Sequence, residues 1–162
     1  ISARNTLGAK RQVFFVSTGG FDTHSNLLTE HANLMTNLND ALAAFYAATV
    51  ELGISDKVAT FTASDFGRTL VSNDSGSDHG WGGVQFVMGG GVLGKSFVGT
   101  SPVFANNGPN DVGQGRLIPT TSIDQLASTL ATWMGVSDSE QTVVLPNLKN
   151  FTTKNLGFMA PA

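Results

Sequence analysis

The chain contains no cysteine. Disulfides, thiolate zinc sites and cysteine nucleophiles are therefore excluded from its chemistry. Charge is also scarce: only 13% of the 162 residues are Asp, Glu, Lys or Arg, and the net charge is −3. Nine basic residues without a cluster give no electrostatic footprint for nucleic acid. No apolar run approaches the roughly 18 residues that a membrane-spanning helix needs, so the chain reads as not transmembrane. What remains is globular: 41% hydrophobic residues, 19 glycines, and length enough for one ordinary domain with its own core. The first residues, Ile1-Ser2-Ala3-Arg4, suit a processed product or a piece of something longer.

Gln12–Thr18 is a short apolar, β-branched and aromatic run that stops at Gly19-Gly20, which predicts a buried strand. From Leu27 to Leu52 apolar residues recur at steps of three and four. This predicts a long amphipathic helix, capped by Ser25 or Asn26 and ended by Gly53. His31 sits on that stripe and reads as a hydrogen-bonded core histidine. Lys57–Ala63 predicts a second strand, and Gln85–Met88 a third. Strand, long helix, strand is a βαβ pattern, so the expected fold class is α/β, with a mostly parallel sheet and flanking helices. Ser96–Phe104 reads as extended and Asn106–Gly115 as a polar loop. A second helix runs from Ile123 to Met134, capped by Thr121 or Ser122 and closed by Gly135. The tail 147–162 is weakly patterned. The chain reads as one α/β domain over 1–162, or as the carboxy-terminal part of a larger one.

In a parallel α/β sheet, function gathers at the carboxyl ends of the strands. Gly19-Gly20-Phe21-Asp22-Thr23-His24 follows the first predicted strand, and Ser64-Asp65-Phe66-Gly67-Arg68-Thr69 the second. Gly76-Ser77-Asp78-His79-Gly80-Trp81-Gly82-Gly83 lies in the next predicted loop and can fold back to the same edge. Carboxylate oxygen and imidazole nitrogen from Asp22, His24, Asp65, Asp78 and His79 suit a divalent metal ion such as zinc or manganese. Such an ion would activate water and polarise a phosphoryl or sulfuryl oxygen. Arg68 could brace an anion. Each residue also has a purely structural reading. Asp22 suits an Asx turn, His24 a helix start, Asp65 a cap, Arg68 an ion pair, His79 a turn and Trp81 simple packing.

Two other patterns carry less. Gly89-Gly90-Gly91-Val92-Leu93-Gly94-Lys95-Ser96 fits the phosphate-loop spelling, but the Phe-Val-Gly-Thr-Ser-Pro that follows is poor helix sequence. The motif needs a helix there, so a glycine-rich turn is the better reading. No G-x-S-x-G elbow supports a serine triad.

The three polar motifs, together with Gly89-Gly90, Gly94, Leu117–Thr121 and Trp133-Met134-Gly135, resemble the bacterial domain of unknown function 1501 family over roughly residues 4–158. The resemblance implies kinship with the alkaline phosphatase and sulfatase superfamily, and hence an alkaline-phosphatase-like fold. By it, Asp22 and His24 look like the first ligand set, Asp65 like the Asp of an Asp-His pair, and His79 like the final His. Phe66 stands where the partner of Asp65 would be a metal-binding His, so the resemblance leaves a two-metal site reduced to one metal, or lost. The superfamily's nucleophile lies on an earlier strand, which implies a missing amino-terminal half of the same protein, or a partner chain. It also implies a small anionic ester substrate and an exported, periplasmic or extracellular protein. The expected function is a metal-dependent hydrolase-like domain for phosphate or sulfate esters; the alternative is a non-catalytic exported binding or assembly protein that keeps the fold.

Overall fold

A computed structural model describes residues 1–161. In chain order they form α1 (Arg4–Leu7), α2 (Leu27–Glu51), β1 (Thr60–Phe61), β2 (Gly67–Ser72), β3 (Ser77–Gly80), β4 (Val87–Met88), α3 (Ile123–Trp133) and α4 (Asp138–Val144). Short 3-10 turns lie at Ser55–Lys57 and Pro146–Asn150. Among the described residues, no helix is long and apolar enough to cross a membrane.

The sheet expectation is overturned. The strands form two separate two-stranded sheets, β1 with β4 and β2 with β3, and both pairs are antiparallel. The mostly parallel α/β sheet and the alkaline-phosphatase-like fold are therefore absent among the described residues. The cause lies in two segments. Gln12–Thr18 makes no ladder at all, so the βαβ unit lacks its first strand. Lys57–Ala63 forms a strand only at Thr60–Phe61, and that strand takes β4 as its partner. High β propensity does not make a strand where no neighbour supplies the ladder.

The helices follow the sequence more closely. Asn26 precedes α2 in the left-handed region, at φ 51°, and Gly53 just past its end takes φ 65°. Glycine meets no Cβ penalty there. The stripe of α2 is poorly covered, however: its one buried residue is Thr49. His31 is exposed, with its ring edge-on to Phe21 at 6.3 Å, so it is not a core histidine. Helix α3 starts on a full capping box, in which the Ser122 hydroxyl accepts from Asp124 N–H and Gln125 reaches back to Ser122 N–H. Gly135, at φ 85°, closes it.

The buried interior is small and largely polar. Ile54, Leu117, Leu148 and Phe158 are its hydrophobic members. Between α3 and α4, Ser128 donates to Gln141 Oε1 at 2.6 Å. The Gln141 amide donates to Thr132 Oγ1 at 3.0 Å and to the Val136 carbonyl at 3.2 Å. A buried amide needs such partners, and here they join the two helices.

The glycine-rich run 89–96 begins no helix. Val92 N–H closes a turn on the Gly89 carbonyl, and Lys95 is left-handed at φ 63°.

Candidate metal centre

The β2–β3 hairpin builds one wall of the site. Asn73 N–H donates to the Gly76 carbonyl and Gly76 N–H to Asn73 Oδ1, both at 3.1 Å, which closes the turn. The resulting register sets Gly67 against Gly80 and Arg68 against His79. Residues 77–80, expected in a loop, are thus a strand, and Arg68 on β2 stands opposite His79 on β3.

The loop before α2 builds the other wall. Ser77 N–H donates to the Thr23 carbonyl at 3.3 Å, and Leu27 N–H to the Ser75 carbonyl at 2.9 Å. This docking needs a glycine. A Cβ on Gly76 would stand 2.2 Å from the His24 carbonyl carbon, so only a hydrogen fits.

Asp22, His24 and His79 converge across the two walls. His24 Nε2 and His79 Nε2 are 3.0 Å apart, and each lies 3.0 Å from Asp22 Oδ1. Three ligands on a tetrahedral zinc, at bonds of about 2.0–2.1 Å, would lie about 3.3 Å from one another. The observed triangle is slightly tighter than that, and small rotations open it. All three residues are exposed.

The neighbours constrain the rings. His24 Nδ1 lies 3.4 Å from Asp78 Oδ1, which also accepts from Asn73 Nδ2 at 2.8 Å. A proton on Nδ1 directed at Asp78 leaves the Nε2 lone pair facing Asp22 and His79. The His79 ring stacks on Phe66, with centroids 3.8 Å apart and planes within 13°. Arg68 donates from Nε to Ser77 Oγ at 3.2 Å, from one terminal nitrogen to the Ser77 carbonyl and from the other to Asp22 Oδ1. Partial desolvation pushes the Asp22 carboxyl up. The hydrogen bonds from Arg68 and His79 and the positive potential of His24 and His79 outweigh it, so the group sits below its ordinary 3.8.

Of the candidates named from sequence, Asp22, His24 and His79 come together, with Asp78 behind His24 and Arg68 behind Asp22. Asp65 is exposed and contributes no atom to the group. Trp81 is exposed as well. Sequence reading gave no positioning role to Phe66, Asn73 or Ser77. The turn-forming Asn-Asp-Ser-Gly at 73–76 was the available signal for the hairpin that places two of them.

No curated protein and no solved structure matches the chain. A family model described as "Protein of unknown function (DUF1501)" matches residues 1–151. With nearly the whole length matched, the chain belongs to the DUF1501 family.

Proposed function

We propose that this chain binds a divalent metal ion, zinc or manganese, through Asp22, His24 and His79, as a hydrolase-like site for phosphate or sulfate esters. The observation that carries the reading is the triangle of Asp22 Oδ1 and two Nε2 atoms, each 3.0 Å from the other two. Lone pairs aimed at one point repel unless a proton or a cation lies between them, and a carboxylate with two imidazoles is a common divalent-metal donor set. Three protein ligands leave a coordination position open, where a bound zinc ion would lower the pKa of its water to about 7. Asp78 fixes the His24 ring, and Phe66 the plane of His79. Arg68 holds Asp22, and an ester anion arriving at the ion would lie beside its guanidinium.

Isothermal titration of the apo protein with Zn²⁺ and with Mn²⁺ tests the reading, followed by assay of the loaded protein on aryl phosphates and aryl sulfates. One ion per chain is expected, with loading lost when both histidines are changed to alanine. Absence of stoichiometric binding by either ion would overturn it.

A second reading, a non-catalytic exported protein that binds or assembles with others, is motivated by the bare apolar segment at Val13–Val16. It expects a polypeptide partner over that segment and no turnover of either ester class.

A further inference from the structure

A cavity of about 340 Å³ lies between α3, α4, the 3-10 turn at Pro146–Asn150 and residues 154–155. Sites for small molecules run from about 300 to 1,000 Å³, so this space is at the small end of that range. Leu145, Pro146 and Leu148 supply its apolar lining. Ser128 and Gln141, each 2% exposed, make its polar wall. The bonds from Gln141 to Ser128, Thr132 and Val136 hold α3 against α4, so the wall keeps its shape without a ligand.

The free hydrogen-bonding capacity at this cavity is one-sided. Gln141 Oε1 and Thr132 Oγ1 are already used as acceptors within the wall. Asn155 Oδ1 accepts from Gly157 N–H at 2.8 Å, which leaves the Asn155 amide nitrogen as a donor. Lys149 and Lys154 border the same space, and neither forms an ion pair among the described residues, where the ion pairs all involve Asp22 or Asp78. An ammonium group offers donors and no acceptor. The one carboxylate on the lining, Asp138, stands in the first turn of α4, where the helix dipole already favours its charge. Two cations against one such anion leave the space at positive potential.

We propose that this cavity binds a small organic carboxylate. Its acid group lies among Lys149, Lys154 and the Asn155 amide, and its apolar body lies on Leu145, Pro146 and Leu148. A bare inorganic anion would satisfy the lysines but leave the apolar lining in water, so burial of that surface favours a ligand with a body. None of these residues belongs to the metal centre.

Sodium benzoate, sodium acetate and benzamide, titrated into the metal-free chain and followed by amide NMR shifts, test the proposal. Benzoate should saturate at about millimolar concentration and move Ser128, Gln141, Leu145 and Lys149. Acetate has the charge without the body and benzamide the body without the charge, so each should bind at least about tenfold more weakly. Lys149→Gln with Lys154→Gln removes two exposed charges at little cost in stability, and it should weaken benzoate at least about tenfold while leaving thermal melting unchanged. Unsaturable benzoate binding, equal binding of benzamide or acetate, equal binding by the double variant, or shifts centred on Arg68 and Asp22 would each overturn the proposal. No outcome bears on metal loading at Asp22, His24 and His79.

Discussion

His24 Nε2 lies 3.0 Å from His79 Nε2, although 55 residues separate them in the chain. The loop that carries one ring and the hairpin that carries the other are joined by backbone bonds on both sides of Gly76. The distance is therefore a property of the backbone more than of two mobile side chains.

Removal of either ring should destroy ion binding by more than the loss of a supporting group. Asp78→Asn, which leaves the donor set intact but weakens the hold on His24 Nδ1, should reduce metal affinity about 10–100-fold. His24→Ala or His79→Ala should exceed that loss. Titration calorimetry of the three variants against the parent gives the order.

Acid should loosen the same junction. The folded carboxyl of Asp22 titrates below its ordinary 3.8 because Arg68 and both imidazoles favour its charged form against partial desolvation. A depressed carboxyl contributes stability that is fully present above the unfolded value and is lost as pH falls through the folded one. Thermal melting should thus be insensitive to this group above about pH 5 and should drop as pH passes below about 4. Asp111 and Glu140 are depressed as well and act in the same window. The Asp22 share is the difference between the parent and Asp22→Asn melting curves across it, and no difference would refute the assignment.

Gly76→Ala should separate the walls of the site while keeping every donor atom. The added methyl would meet the His24 backbone at 2.2 Å, far inside van der Waals contact. Backbone cannot yield as a side-chain end does, so a cost of about 1–3 kcal/mol or more is expected. Loss of metal binding by a variant that still melts cooperatively is the outcome to look for.

The sequence made the ends of elements legible and their partners illegible. Thr121 or Ser122 and Gly135 announce both ends of α3, because capping is a local transaction between residues three or four apart. Gln12–Thr18 carries an equally clear β signal and forms no strand, because a ladder needs a second strand that propensity cannot supply. The site was half legible. Asp22, His24 and His79 were picked out by residue type and glycine context, and they meet. Asp65 was picked out the same way and lies apart, since a hairpin replaced the expected strand end. Phe66 drew notice only as a ligand that was missing, and its stacking on His79 has no signature in one sequence.

Gln141 is 2% exposed and bonds to three residues between α3 and α4. Gln141→Leu keeps the volume but strands the Ser128 hydroxyl and the Val136 carbonyl. Each such orphan costs about 1–3 kcal/mol. A protein of this size loses about 2–4 °C of Tm per kcal/mol. Differential scanning calorimetry should register a clear decrease, with ion binding at Asp22, His24 and His79, none of which bonds to Gln141, unchanged.

The pairing of Arg68 with His79 makes the turn at 73–76 a control on a donor triangle to which it contributes no atom. Side chains along a strand alternate between its faces, so a slip of one residue would carry the imidazole to the opposite side of the hairpin. Adding or deleting a single residue in that turn would erase the donor triangle while leaving all of its members in the sequence. In this fold the length of a four-residue corner decides the meeting of the donor atoms as much as the histidines themselves do.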